Sequence, residues 1–277
     1  MEEYEEDKKK KVRNFIVLAV SLLLLFSFGF FIGGKISQRR NVVVNAANSK
    51  TSDIDQQSMD KRETGVNPSN EKNDGAFDPY KEDGKKVVYL TFDDGPSTNN
   101  TPKILNILKK YNIKATFFVI GQSAEQNKQL VKRELSEGHV IGNHTYTHDM
   151  HYVYSSTKAF ISDLDKCDNV LKSIIGDKYC LKLIRFPGGS FGQRLEPFRK
   201  SVKQSGYHYV DWNDLTGDAE HNNVPVSSLL GKVKTYANQE HLVILMHDAS
   251  AKTTTVDALP QVIEYFKSKG YSFKTLK

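Results

Sequence analysis

The sequence of 277 residues predicts a parallel α/β domain of barrel form, carried behind a membrane-spanning segment and a flexible linker. Three observations support this fold class. Short apolar strand candidates alternate with amphipathic helices from residue 85 onward, which is typical of a parallel α/β domain. Polar residues suited to chemistry follow five of these strands, and this favours a barrel over an open sheet. A long uncharged run near the N-terminus lies outside the alternating pattern.

The uncharged run covers residues 14–34 and predicts a transmembrane helix. A helix rising about 1.5 Å per residue needs about 20 apolar residues to cross the hydrocarbon core. A buried core helix is the alternative, but such helices seldom run this long without a polar face. Basic residues are denser before the run than after it, which predicts a cytoplasmic tail at residues 1–13 and an extracellular remainder. A cleaved signal peptide is the competing interpretation.

Residues 35–84 are polar and lack apolar periodicity, so we expect an extracellular linker that buries too little surface to order itself. The folded domain is expected at residues 85–277. Net charge is only +6, and no basic stretch interleaved with aromatic residues follows the membrane segment. We therefore expect no nucleic-acid partner. Cys167 and Cys180 are either an extracellular disulfide or two buried thiols.

The individual elements are read from apolar periodicity and from turn residues. Each strand candidate is a short, apolar, β-rich run, and several helices end at a glycine, as at Gly138, Gly206 and Gly270. Thr101 and Pro102 provide an N-cap and a proline for the first helix. Strands are expected at residues 87–92, 115–120, 139–141, 181–185, 207–210, 241–246 and 271–274. Helices are expected from residue 101 and at residues 124–137, 157–175, 196–205, 226–237 and 256–269.

Two adjacent carboxylates, Asp93 and Asp94, end the first strand and are followed by Gly95 and Pro96. An ordinary Asp-Gly turn is the alternative explanation of this pattern. Adjacent residues at a strand end point in different directions, so the two aspartates can have different roles. One can bind a metal while its neighbour takes a proton.

His144 and His148 follow the third strand and are four residues apart. On a helical turn this spacing places both imidazoles on one face, although two surface histidines would give the same pattern. With one aspartate they provide three protein ligands and leave a position for water, as in catalytic zinc sites. This donor set favours zinc and is also compatible with cobalt, nickel, manganese or iron.

His247 ends the most apolar strand, in the run Leu245-Met246-His247-Asp248. A structural histidine is the alternative, but this one is expected at the same rim as the metal ligands. A histidine with a near-neutral pKa is suited to protonate a leaving amine as a general acid.

Together these motifs resemble the polysaccharide deacetylases, which form carbohydrate esterase family 4 and carry the NodB homology domain. The resemblance covers roughly residues 86–275 and is carried by motifs in the family's order. These motifs are Thr-Phe-Asp-Asp-Gly-Pro at 91–96, His-Thr-Tyr-Thr-His at 144–148, Arg-Phe-Pro-Gly-Gly at 185–189 and Leu-Met-His at 245–247.

The resemblance implies a distorted (β/α)7 barrel and metal-dependent deacetylation. It also implies a role for each motif residue. Asp93 would be the general base and His247 the general acid, and Arg185 would position Asp93. The metal ligands would be Asp94, His144 and His148, and the backbone N–H of Gly188 would stabilise the oxyanion.

One motif departs from the family pattern, in which an Asp and a Trp follow the fifth strand a few residues apart. Here Asp211, Asp214 and Asp218 are all candidates to tune His247, and Trp212 is a candidate wall of the acetyl pocket. Gly188 stands where many members have tyrosine. These departures leave the substrate subtype open.

The sequence therefore predicts a metal-dependent hydrolase that removes N-acetyl groups from cell-wall polysaccharide and releases acetate. Peptidoglycan is the expected substrate, with N-acetylglucosamine and N-acetylmuramic acid both open. The alternatives are a deacetylase of exopolysaccharide, chitin oligomers or xylan, a catalytically inactive glycan-binding module, and a structural anchor protein. We expect a monomer held at the cell membrane by its single N-terminal helix.

Overall fold

A computed structural model describes residues 77–277 of the chain, all of them within the unit Asn73–Lys277. The predicted cytoplasmic tail, the transmembrane segment at residues 14–34 and most of the linker lie outside the described residues. Within residues 77–277, no helix has the length and apolar character needed to span a membrane.

Residues 77–277 contain eight parallel strands, and these include all seven expected from the sequence. The additional strand, β6, is a two-residue element inside a polar segment, and its shortness explains why no pattern predicts it. The strands are β1 Val87–Asp93, β2 Thr116–Val119, β3 Val140–Asn143, β4 Leu183–Ile184, β5 His208–Tyr209, β6 Asp214–Leu215, β7 His241–His247 and β8 Ser272–Lys274.

Helices separate the successive strands, as parallel pairing requires, except that β6 follows β5 directly and does not pair with it. They are α1 Thr101–Tyr111, α2 Gly121–Gln126, α3 Lys128–Ser136, α4 Met150–Val153, α5 Thr157–Ile175, α6 Glu196–Gln204, α7 Val226–Tyr236 and α8 Thr253–Ser268. The described part of the chain also contains two short 3-10 helices, Gly176–Lys178 and Gln193–Leu195.

The strands form one curled sheet in the order β5-β4-β3-β2-β1-β7-β6. The central pair β1 and β7 is in register along its whole length, from Val87 beside His241 to Asp93 beside His247. β8 pairs with residues 87–89 of β1, and β2 pairs with residues 91–93. Among the described residues no ladder joins β5 to β6, so the sheet is a half-barrel with an open side.

The two faces of β1 show how the sequence builds this half-barrel. Val88, Leu90 and Phe92 pack into the larger core cluster, which contains helix residues of α1, α5 and α8. Val87 and Tyr89 belong to a second cluster with residues of β4 and β7, Phe118, and Leu276 near the C-terminus. Because side chains alternate along a strand, Thr91 and Asp93 share the face of Val87 and Tyr89.

Three local expectations are wrong. The single helix predicted at residues 124–137 is two helices, because the backbone leaves helical geometry at Asn127, whose side chain donates to the carbonyls of Pro96 and Ser123. The first helix is preceded by Asn100, and Thr101 lies inside it. The cysteines form no disulfide: Cys167 is buried and Cys180 is exposed, so they are not two buried thiols either.

Candidate active site

The candidate site residues meet at the carboxyl ends of the parallel strands. Asp93 and His247 are register partners at the ends of β1 and β7. His144 directly follows β3, and Arg185 directly follows β4. Parallel pairing therefore brings residues that are far apart in sequence to one rim of the half-barrel.

Asp94 lies close to both histidines of the HxxxH motif. Its Oδ1 atom is 3.5 Å from Nε2 of His144 and 3.3 Å from Nε2 of His148. Three ligand atoms about 2.0–2.1 Å from a tetrahedral ion lie about 3.3–3.4 Å from one another. The separations to Asp94 therefore match those of two ligand pairs around one cation. This triplet is the one group of its kind within residues 77–277.

The donor atoms of the triplet also have the chemical state that a cation requires. Oδ1 of Asp94 is buried and accepts no hydrogen bond within the described part of the chain. Nδ1 of His144 donates to the carbonyl of Arg185 at 2.9 Å, which leaves Nε2 with a free lone pair. Burial, assisted by His148, lowers the pKa of His144 to about 3, so the ring is neutral. These residues fit a divalent cation.

The HxxxH segment is a loop, so a helical turn is not what brings its two histidines together. In this loop Thr145 and His148 have positive φ angles of 66° and 54°. The side chain of Asn143 accepts from the Thr145 N–H, and that of Asp163 accepts from the next two N–H groups. Because these side-chain acceptors compete with helical carbonyls, they hold the segment as a loop. The loop still places both imidazoles beside Oδ1 of Asp94.

Asp93 is buried beside Arg185, as the family resemblance implied. Its Oδ1 accepts from Nη1 of Arg185 at 2.9 Å, while its Oδ2 lies 3.7 Å from Nε2 of His144. Burial raises the pKa of Asp93, and the positive charge of Arg185 opposes that rise. Arg185 is itself held by Thr91 Oγ1 and by the carbonyls of Val210 and Asp211. One carboxylate oxygen of Asp93 is therefore fixed by a rigid guanidinium.

His247 is paired with Asp218, which decides among the three aspartates left open by the sequence. Nδ1 of His247 lies 2.9 Å from Oδ1 of Asp218, and the His247 backbone N–H donates to Oδ2 at 2.8 Å. Burial lowers the pKa of His247, but the charge of Asp218 and its hydrogen bond outweigh this, and the pKa rises to about 9. The hydroxyl of Thr255 also donates to Asp218. His247 is therefore held as an imidazolium.

Asp211 contacts Ser190 instead of His247. It accepts the Ser190 backbone N–H at 2.9 Å and the hydroxyl at 2.5 Å, and so holds the loop that carries Gly188. Gly188 has φ +72°, in the left-handed region that favours glycine, and within residues 77–277 its N–H has no hydrogen-bond partner. Trp212 packs edge-on against Phe191 with ring centroids 5.4 Å apart.

Sequence reasoning gave no role to Asp163 or Asp248, and both contact the site's supporting structure. Asp248 follows His247 directly and is buried against the turn after β1, where a Cβ atom on Gly95 would lie 2.1 Å from its Oδ2. Burial raises its pKa to about 7, opposed by a hydrogen bond from Thr101. The signal for Asp248 was its position next to His247, whereas Asp163 had no motif to mark it.

This arrangement of a base carboxylate, a triplet that fits a cation and an imidazolium defines a metal-dependent hydrolase. Comparison with known sequences agrees. The sequence profile described as polysaccharide deacetylase matches residues 80–210. A peptidoglycan-N-acetylglucosamine deacetylase of Bacillus cereus is 30% identical over 272 residues, which cover 97% of this chain and 93% of the relative. The chain belongs to the polysaccharide deacetylase family.

Two further comparisons agree with this assignment. A second peptidoglycan-N-acetylglucosamine deacetylase of Bacillus cereus is 38% identical over 207 residues, covering 72% of this chain and 68% of the relative. A solved structure of a Streptococcus mutans CE4 esterase superposes with a TM-score of 0.65 at 36% identity. It covers 70% of this chain and 87% of that one. The family resemblance inferred from the motifs is confirmed.

Proposed function

We propose that this enzyme hydrolyses the N-acetyl group of N-acetylglucosamine in peptidoglycan and releases acetate. The observation that carries the proposal is that Asp94, His144 and His148 form one ligand triplet. This triplet lies directly beside Asp93, whose carboxylate is held by Arg185. Relatives that match most of the chain are named peptidoglycan-N-acetylglucosamine deacetylases, and this favours that sugar over N-acetylmuramic acid.

In the proposed mechanism Asp94, His144 and His148 hold a divalent cation, and zinc is the metal that we propose. When bound, such a cation polarises the acetyl carbonyl and lowers the pKa of its water. Asp93 stays outside the ligand triplet. Because Arg185 occupies one of its oxygens, the other oxygen takes the proton of the attacking water.

The remaining residues act on the opposite side of the amide. His247 is protonated at neutral pH and donates its proton to the departing nitrogen, which leaves as a free amine. The Gly188 N–H donates to the oxyanion that develops on the carbonyl oxygen, and one such donor contributes about 3 kcal/mol. Asp211 positions the Gly188 loop through Ser190, and Trp212 walls the acetyl pocket.

We further propose that the enzyme works outside the cell as a monomer, held in the membrane by residues 14–34 with its N-terminus in the cytoplasm. The uncharged run and the basic residues before it support this topology. A linker of roughly 50 residues has a root-mean-square span of about 35–42 Å if it behaves as flexible coil. That reach suits a substrate in the adjacent wall.

The test is to treat defined muropeptides, chitin oligomers and acetylated xylan with the detergent-solubilised full chain. Acetate would be quantified, and mass spectrometry would locate the sugar that has lost its acetyl group. We expect deacetylated glucosamine in the muropeptides, loss of activity on chelation, and recovery on adding zinc. Acetate from xylan alone, or muropeptides deacetylated only on muramic acid, would contradict the proposed substrate.

A further inference from the structure

The loop that joins the two candidate histidine ligands has an unusual backbone. We call residues 144–148 the ligand loop. Two of its five residues, Thr145 and His148, have positive φ angles of 66° and 54°. Residues other than glycine disfavour this region because Cβ approaches the following carbonyl oxygen. Interactions from outside the loop must therefore stabilise this conformation.

Side chains accept the hydrogen bonds of four of the five backbone N–H groups in the ligand loop, and the carbonyl of Val119 accepts that of His144. The Thr145 N–H donates to Oδ1 of Asn143 at 2.8 Å, and the His148 N–H donates to Oγ1 of Thr145 at 3.1 Å. Between them, the N–H groups of Tyr146 and Thr147 both donate to Oδ2 of Asp163, at 2.7 and 2.9 Å. Among these side-chain acceptors, Asp163 is the one that lies far from the loop in the sequence.

Asp163 lies on α5 and is only 3% exposed. Its Oδ2 also accepts the hydroxyl of Thr147 at 3.2 Å, so one carboxylate oxygen holds three donors of the loop. On the other side of the loop, the N–H groups of Gly121 and Gln122 donate to the carbonyls of Thr145 and Tyr146 at 2.9 and 3.0 Å. The loop is thus held from two sides by protein groups alone.

We propose that Asp163 is a positioning residue of the metal centre, whose carboxylate holds the ligand loop in its cation-binding conformation before any ion arrives. This inference rests on the metal centre of the proposed function. Asp163 acts through the loop backbone and is not itself a ligand. Without it, the Tyr146 and Thr147 N–H groups lose their acceptor and the loop relaxes. Cation binding must then reorder the loop, which lowers affinity.

The test compares Asp163→Ala with Asp165→Ala by zinc titration of the metal-free full chain against a chromophoric chelator. Asp165 lies on the same helix, is exposed, and accepts from Tyr207, whose hydroxyl keeps a second acceptor in Asp168. We expect Asp163→Ala to weaken zinc binding about 10- to 100-fold, as is typical when a partner of a ligand is removed. Asp165→Ala should stay within about twofold of the wild type.

Two further measurements keep the proposal testable if Asp163→Ala folds poorly. Asp163→Asn keeps an oxygen acceptor for both N–H groups, so it should weaken zinc binding less than Asp163→Ala and at least threefold relative to the wild type. Hydrogen exchange on metal-free protein should show faster exchange at residues 146 and 147 in the variants. Wild-type zinc affinity and exchange in both Asp163 variants would overturn the positioning role.

Zinc binding is measured independently of acetate release. A protein that binds zinc but deacetylates no glycan would contradict only the proposed function. A wild-type chain that binds no zinc would overturn both.

Discussion

The pairing of His247 with Asp218 predicts a specific change in the pH dependence of activity. The pKa of His247 is raised from 6.5 to about 9, a difference of roughly 3 kcal/mol between the two protonation states. His247 acts as an acid and must be protonated, so activity is lost as pH rises through this pKa. Asp218 is the largest cause of the rise, and Asp94 and Asp93 add to it, so removing the charge of Asp218 should lower the pKa of His247 towards its ordinary value of 6.5.

The perturbation is Asp218→Asn, which keeps the size of the side chain and removes its charge. At pH 8 a histidine with a pKa of about 9 is about 90% protonated, whereas one with a pKa of 6.5 is about 3% protonated. Activity at pH 8 should therefore fall by up to about 30-fold, with the basic limb of kcat/KM shifted down by up to about 2.5 pH units.

The assay is kcat/KM for acetate release from muropeptides between about pH 5.5 and 10. Asp214→Asn is the matched control, because Asp214 is also buried after β5 and its Oδ1 accepts the Leu215 N–H. This control should leave the basic limb in place. A limb that stays at the wild-type position in Asp218→Asn would refute the assignment of His247 as the acid tuned by Asp218.

Three further predictions follow from the site and its support. Asp93→Asn should lower turnover at least 100-fold, since a general base contributes about 10²–10⁴, while zinc content measured by elemental analysis stays unchanged. Burial raises the pKa of Asp214 from 3.8 to about 8, so between these values the folded chain keeps a proton that the unfolded chain releases. The free energy of unfolding should therefore fall as pH rises from about 4 to 8. Denaturant titrations of Asp214→Asn over this pH range should lack this fall. Gly95→Ala would place Cβ 2.1 Å from the Asp248 carboxylate and should cost about 1–3 kcal/mol of unfolding free energy by denaturant titration, whereas a wild-type midpoint would contradict the packing.

The sequence predicts the long elements of this fold well and the short ones poorly. β1 and β7 are seven-residue strands whose side chains are all buried, so their apolar runs are unmistakable. β6 has two residues, Asp214 and Leu215, and its pairing depends on β7 lying beside it. A strand that exists only because a neighbour supplies its hydrogen bonds has no sequence pattern of its own.

The candidate ligands can be found from sequence because their chemistry is local. Asp94, His144 and His148 each follow a strand, and their residue types alone suggest a cation site. The conformation that joins them cannot be read in the same way, because the acceptor that shapes the loop, Asp163, is 16 and 17 residues from the N–H groups it binds. The sequence likewise does not identify the aspartate that pairs with His247, because only the folded chain places Asp218 beside it.

The two thiols of this chain differ in a way that is useful at the bench. Cys180 is exposed, while Cys167 is buried and burial raises its pKa well above the usual thiol range. A maleimide reagent at neutral pH should therefore modify Cys180 alone. A fluorophore or spin probe can be attached there, on the native sequence, to follow the enzyme on isolated cell-wall sacculi.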